Sequence, residues 1–352
     1  MDFIIADINK NELGYLKKYE RLDIEINDAI ISQEVATEGE KTSVINTFEL
    51  EVDSINRERQ KINDNFFLHY PETEYGGRFE KVNTKTNDIN EIWGGTTWRG
   101  LLDQDIIRPP TGSDYRTVSG DANQILRNLL PVNNGSGSFF TVMPETSGIT
   151  INNYQFERYT TMLNGFTKML KTVNAKLKIW TTEGGAGEPF SVMIGAVPIY
   201  DYSAEIEYSD DVLAEISITL DRTGITHLIT LGQGELRDRQ IYELWLNAEG
   251  KIVEANPNIY IGVNEKTAVY DFGSAEDMTA LKEEALKKFE ELTQKKTMDL
   301  TNYEGVTADI GDIISGRDRR TGISLKKPII GKILRSEKGI NTIETKIEGS
   351  NS

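Results

Sequence analysis

The sequence predicts a β-rich α+β fold, and three observations carry that prediction. Apolar and polar residues alternate over many short runs, the period of strands with one buried face. Helical spacing is confined to three segments, near 121–130, 162–173 and 274–292. Gly, Asn, Asp and Pro separate these runs at short intervals. The resulting order is β-rich, α+β, β-rich, one long helix, β-rich. With 352 residues the chain is long enough for more than one packed core, and ordinary domain size gives about two to three domains.

The first 110 residues read as strands. The run FIIADI from Phe3 is followed by the polar stretch Asn9 to Glu12 and by Gly14. Leu22, Ile24 and Ile26 then alternate with Arg21, Asp23, Glu25 and Asn27, so the two runs are expected to pair as a hairpin. Phe48, Leu50 and Val52 alternate with Glu49 and Glu51, and Phe79 to Thr86 alternates after an expected turn at Gly76-Gly77. Such strands predict a small antiparallel barrel or sandwich, ended by Pro109-Pro110.

An α+β unit follows at 111–195. Ile125, Leu126, Leu129 and Leu130 share one helical face, Ser119 or Asp121 can cap it, and Pro131 stops it. The stretch 133–138 (NNGSGS) has a loop composition. Met162, Leu163, Phe166, Met169, Leu170 and Val173 mark an amphipathic helix that runs into a strand over Lys176 to Trp180. Thr182 to Pro189, with three glycines, reads as a surface loop.

Alternation returns between Ala204 and Ile229, and the turn Asn247 to Gly250 separates two more strands. The third helix is expected from Ser274, with Asp277 as its capping-box partner and Met278, Leu281, Ala285, Phe289 and Leu292 down one face. Its other side offers Glu283/Lys287, Glu284/Lys288 and Glu291/Lys295 at i,i+4 spacing. Short strands are expected at 298–300, 310–314, 329–334 and 343–347.

Composition removes whole classes of chemistry. The chain has no cysteine, which excludes disulfide scaffolds, thiolate metal sites, iron–sulfur clusters and cysteine nucleophiles. Only His69 and His227 are present, far apart in sequence and without an HExxH pattern, and each reads as a structural or surface histidine. Lys and Arg number 39 against 56 Asp and Glu, a net charge of −17 that repels phosphate backbones and anionic lipid. The start MDFIIADINKNE lacks the basic region and long apolar centre of a signal peptide. No apolar run approaches the roughly 18 residues of a membrane span, so a soluble, cytoplasmically made protein without membrane insertion is expected.

Familiar motifs fail on inspection. Glu38 to Thr42 lacks the paired glycines of a phosphate loop. Gly232-Gln-Gly234 opens like a dinucleotide fingerprint, but Arg237 stands where the third glycine belongs. Ser324 to Lys327 matches S-x-x-K by spacing alone. Carboxylates are plentiful enough for a glycosidase pair, yet neighbours such as Asp103/Asp105 and Asp210/Asp211 are the accidental outcome of 56 acids and read as solvated turn residues. No catalytic residue, cofactor or metal is expected.

One electrostatic feature breaks the acidic background. Arg317, Arg319, Arg320, Lys326, Lys327, Lys332 and Arg335 face only Asp318 in sequence, a local charge of +6 in a chain of −17. This strip reads either as a solvated hairpin or as a docking surface for an acidic partner, including another copy of the chain.

Five longer strings resemble one family. They are Trp98 to Pro110 (WRGLLDQDIIRPP), Asp114 to Asn123 (DYRTVSGDAN), Tyr154 to Leu163 (YQFERYTTML), Leu231 to Arg239 (LGQGELRDR) and Asp309 to Ile323 (DIGDIISGRDRRTGI). They resemble the tail hub proteins of siphophages and prophages of Gram-positive bacteria, which are similar in fold to the baseplate hub of contractile-tailed phages. The resemblance runs from about residue 90 to residue 347.

It implies a homotrimer whose subunit holds two antiparallel β-barrels, an inserted α+β domain and one long peripheral helix. The implied division is a first barrel at 1–110 with a return near 195–205, the insert at 111–195, a second barrel at 205–272 completed by 298–352, and the helix at 273–297. Two similar barrels around a threefold axis present six nearly equivalent units. Such a ring can meet a hexameric tail tube or distal tail protein above and a tail-tip or spike protein below. The implied role is structural: a virion tail-tip component, assembled in the bacterial host cytoplasm, through whose channel DNA passes without specific binding.

Two other functions remain open at this stage. One is a tail-tip glycoside or peptidoglycan hydrolase using paired carboxylates. The other is a carbohydrate-binding tail-tip protein that stacks sugars on Trp93, Trp98, Trp180 or Trp245; the last two lie in strand patterns and read as core.

Overall fold

A computed structural model describes residues 2–28, 46–130, 139–185, 188–204, 207–208, 214–248, 250–275, 277–293, 295–302, 308–317, 320, 322, 324–337 and 340–347. The segments 38–42 and 133–138, together with Asp210, Asp211 and Arg319, lie outside the described residues. The fold is β-rich with few helices, and its main sheet curls as a half-barrel. The chain divides into two compact units, 1–217 with 299–348 and 218–298 with 349–352.

In the first unit, β1 (Ile4–Ala6) pairs antiparallel with β2 (Glu12–Tyr15), so the opening hairpin closes earlier than the alternation suggested. β3 (Arg21–Asn27) pairs instead with β4 (Thr47–Asp53) and, on its other side, with a strand from the far end of the chain. Leu22, Ile24, Phe48, Leu50 and Val52 are buried, as the period of two requires. A short helix, α1 (Ser54–Arg59), follows, capped by the Asp53 carboxylate on the Asn56 N–H.

β5 (Phe67–His69), β6 (Gly76–Thr84) and β7 (Asn90–Thr97) extend the sheet. Gly76 and Gly77 are strand residues rather than a turn. A Cβ on Gly77 would stand 2.2 Å from the Thr96 carbonyl oxygen, so only glycine allows the strands this close.

The signature strings are where the chain is locked. α2 (Trp98–Asp103) begins with Trp98, fully buried among Phe67, Phe139 and Phe190 with ring centroids 6.0–6.2 Å away. Arg99 is buried beside Glu74, donating from Nε at 2.5 Å and from an NH2 group at 3.1 Å, and reaches the Leu177 carbonyl at 3.3 Å. Asp103 accepts the Thr161 hydroxyl at 2.6 Å, so it is engaged in the fold rather than a solvated turn residue.

β8 (Thr117–Asp121) leads into α3 (Ala122–Leu129), where Asp121 caps the Gln124 N–H and also accepts from Ser147 at 2.7 Å. Asn123 accepts the Ala196 N–H at 2.9 Å and donates to the Glu145 carbonyl at 3.0 Å. β9 (Phe140–Val142), β10 (Thr150–Gln155), α4 (Met162–Lys171), β11 (Ala175–Thr182) and β12 (Ser191–Pro198) complete this region. Thr161 caps α4, and the apolar face of that helix packs into one core with Trp98, Phe67 and Phe190. β10 pairs with β8, while β11, β12 and β9 form a three-stranded sheet.

β13 (Glu207–Tyr208) and β14 (Ala214–Asp221) return to the main sheet. In the second unit, β15 (His227–Leu231), β16 (Ile241–Leu246), β17 (Ile252–Val253) and β18 (Thr267–Asp271) form a four-stranded sheet in the order β17-β16-β15-β18. α5 (Met278–Leu292) covers one face of that sheet through Leu281, Ala285 and Phe289. Its N-cap is Asp277, which accepts the Ala280 N–H at 2.8 Å, so the helix starts three residues beyond the expected box. Within the helix the ion pairs are i,i+3, Lys288 with Glu291 at 2.8 Å and Lys287 with Glu284 at 3.9 Å, in place of the expected i,i+4 pairs, and Lys295 lies beyond the helix in a strand.

β19 (Lys295–Asn302), β20 (Ile313–Arg317), β21 (Ser324–Glu337) and β22 (Ile340–Ile347) close the chain. The main sheet has thirteen strands in the path β14-β19-β22-β21-β3-β4-β7-β6-β5-β1-β2, with β20 and β13 branching from β21. Strands from both ends of the sequence are therefore hydrogen-bonded neighbours.

Candidate assembly interface

The basic strip falls on the β20–β21 hairpin, whose register pairs Arg317 with Ser324 and Ile313 with Pro328. The hairpin is graded along its length. Near the sheet, Ile314, Ile329 and Leu334 are fully buried; toward the turn, Arg317, Arg320, Lys326 and Lys327 are exposed. Of these cations only Lys332 is buried among the described residues, whereas Arg317, Arg320, Lys326, Lys327 and Arg335 are exposed.

At the base, Lys332 is buried and donates to the Ala308 carbonyl, with the Asp309 carboxylate 3.6 Å away. Burial lowers its pKa, which Asp309 and Glu74 partly offset. Arg335 pairs with Glu344 on the neighbouring strand at 2.5 Å. At the exposed end, Lys326 meets Asp201 at 2.6 Å. That hydrogen bond, with those from Ser203, holds the Asp201 carboxyl down at about 2. Arg320 and Lys327 also have partners within the chain. Arg319 lies outside the described residues.

A buried carboxylate that composition could not single out anchors the hairpin. Asp312, in the string DIGDII, accepts Lys176 Nζ at 2.6 Å and the backbone N–H groups of Tyr200 and Asp309 at 2.9 Å each. Gly311 precedes it at φ 94°, and the Lys176 side chain passes 2.9 Å from where its Cβ would be. One residue thereby ties the C-terminal hairpin to β11 and to the return segment at 200–201. The signal for it was a carboxylate between Gly311 and an apolar pair, but its cationic partner lies more than a hundred residues away.

The remaining sequence candidates are buried or occupied. His69 is fully buried, stacked on Phe190 with centroids 4.3 Å apart, and lies 3.3 Å from Glu12. Burial outweighs that carboxylate and lowers the His69 pKa to about 4, so the ring is neutral. His227 stacks on Trp245 at 4.7 Å between Glu243 at 2.9 Å and Glu265 at 3.5 Å. Trp98 is fully buried, and Trp93 is 8% exposed with its Nε1 donating to Glu91, so neither offers a sugar platform. Among the described residues no group of three His, Asp or Glu is placed to hold a metal, and no helix is long and apolar enough to cross a membrane.

The chain has the fold of phage tail and baseplate proteins. A 43 kDa tail protein of prophage MuSo2 from Shewanella oneidensis superposes with a TM-score of 0.54 at 9% identity, covering 99% of this chain and 98% of that one. A protein of the p2 virion baseplate in its activated conformation gives 0.51 at 8% identity, over 100% and 99% of the two chains. Prophage tail protein gp18 from Listeria monocytogenes EGD-e gives 0.50 at 10% identity, over 100% and 96%. At these identities the likeness is one of fold. The sequence matches no protein-family model and no curated protein.

Proposed function

We propose that this chain is a structural, non-enzymatic subunit of a phage or prophage tail, a hub that joins the tail tube to the tail tip. The observation that carries the reading is the extent of the structural likeness: it spans 99–100% of this chain and 96–98% of two prophage tail proteins. A shared catalytic or binding module would cover a part. The p2 baseplate protein, aligned over its whole length, supports the placement at a baseplate.

In this reading three copies form a ring around an axial channel for DNA. Each contributes a first barrel at 1–110 with a return near 195–205 and a second at 205–272 completed by 298–352, together with an α+β insert at 111–195 and a helix at 273–297. A net charge of −17 keeps DNA from adhering as it passes. The exposed end of the basic strip then serves as a contact with an acidic surface of a neighbouring subunit or of the tube.

Native mass measurement with negative-stain imaging tests the reading: a threefold ring is expected, and a monomer that persists at micromolar concentration overturns it. The double variant Arg319→Glu, Arg320→Glu is expected to weaken subunit or tube association; unaltered assembly would remove the strip from the interface.

A further inference from the structure

The main sheet ends on β2, which pairs with β1 on one side and has no strand on the other among the described residues. Beside β2 the segment at Lys17-Lys18 and the C-terminal end of α1 flank a groove of about 330 Å³. Lys17, Lys18, Arg59 and Lys61 line it together with uncharged residues, and no carboxylate does, in a chain with 56 acids and 39 bases. All four cations are exposed, and none makes an ion pair with a described residue. Asp2, Glu20 and Asp53 line the adjoining pocket, and Arg59 adds to the Asn56 hydrogen bonds that lower the Asp53 carboxyl, but the groove itself presents cations alone, which attract a partner of opposite sign.

The walls of the groove are held in place. Gln60 accepts the Lys17 N–H at 2.6 Å and the Lys18 N–H at 3.3 Å through Oε1. Its Nε2 donates to the Lys18 carbonyl at 2.8 Å and to the Asn56 carbonyl at 3.1 Å. One amide side chain therefore clamps the two cationic segments together, although 42 residues separate them. Lys61 adopts a left-handed backbone at φ 57°, a position that glycine would occupy at less conformational cost. Preorganised walls reduce the ordering cost of binding.

A free strand edge and a row of cations select one kind of ligand. An extended chain laid along β2 satisfies the edge with its own backbone groups, and every second side chain points to the same side. A segment with acids at alternate positions then places its carboxylates over the cations. A nucleic acid would use the charge but leave the strand edge unsatisfied.

We propose that this groove docks an acidic, extended segment of a partner protein, which adds as a strand to β2 with its carboxylates on Lys17, Lys18, Arg59 and Lys61. The proposal rests on the groove alone and stands whether or not the chain forms a ring.

Fluorescence anisotropy with a labelled alternating Glu–Thr peptide tests it on the full chain. Saturable binding is expected, with a loss of about tenfold or more in Lys17→Glu, Lys18→Glu and in Arg59→Glu, Lys61→Glu. Among the described residues these side chains make no ion pair, Arg59 acting on Asp53 only through its charge, and circular dichroism verifies that each variant is folded. N-methylating the peptide on one of its two sets of alternate residues should abolish binding, while methylating the other set should leave it intact, because only one set of N–H groups faces β2. No binding, equal binding of a Lys–Thr peptide, or indifference to both methylation patterns would overturn the proposal. So would tighter binding of a labelled single-stranded oligonucleotide.

Discussion

The two compact units solve the same problem at different scales. In the first, a buried aromatic cluster around Trp98, an ion pair at Arg99–Glu74 and an anchor at Asp312–Lys176 hold segments from 25 to 136 residues apart. In the second, five residues, Leu228, Leu244, Leu246, Ala285 and Phe289, form the buried core between one sheet and one helix. That unit also leaves Leu236, Ile261 and Val263 72–94% exposed. A small unit has too little interior for all its apolar side chains, so its stability concentrates in a few contacts. The larger one can carry buried charge because its long-range hydrogen bonds satisfy it.

Phe289→Ala should reveal the contrast most sharply. It removes a fully buried ring from the smaller core, at a cost of about 3–5 kcal/mol. Hydrogen exchange is expected to show lost protection across 227–292 with the first unit unchanged; protection lost evenly through both units would contradict the separation.

Arg99→Leu should act in the reverse sense. It leaves Glu74 without its cation and is expected to cost about 3–5 kcal/mol in urea denaturation, in the first unit. A double variant Arg99→Leu, Glu74→Leu should recover much of that loss, since the penalty is the stranded charge.

A pH effect on the order of 3 kcal/mol should also belong to the first unit. His69 is held neutral with a pKa near 4, against 6.5 when unfolded, so the unfolded chain binds a proton that the folded chain refuses. Stability is therefore full above 6.5 and falls as the pH drops from 6.5 toward 4. Urea midpoints for the wild type and His69→Gln across that window check the sign; parallel curves would refute it.

The smallest effect is expected at the hairpin end. Lys326→Ala should leave the melting midpoint unchanged, because both members of its pair with Asp201 are exposed. Its readout is NMR titration of Asp201, whose pKa should rise from about 2 toward the ordinary carboxylate range.

Local patterns were legible where local physics decides them. The alternation at 21–27 and 47–53, the cap at Asp121 and the apolar faces of α3, α4 and α5 depend on spacing within a few residues. The glycines at 76–77 were misread because a turn and a close strand crossing both select glycine, and only the neighbour, Thr96, distinguishes them. The basic strip was visible as a run of charge, but the burial of Lys332 beside Asp309 and the pairing of Lys326 with Asp201 and of Arg335 with Glu344 were not, because the partners lie elsewhere in the sequence. The β2 groove left a fainter trace, two short basic clusters some forty residues apart joined only through Gln60.

The sequence by itself determined that the protein is β-rich, acidic, free of thiol chemistry and built from short strands with three amphipathic helices, since these follow from composition and short-range periodicity. Tertiary structure alone decided which strands meet. It set β3 between β4 and β21, placed Asp312 on Lys176, and left one edge of β2 without a strand among the described residues, beside four cations. The physical reason is that strand pairing is a long-range choice: an alternating strand specifies which face it buries, but its hydrogen-bonding edges carry no address until the rest of the chain has folded around them.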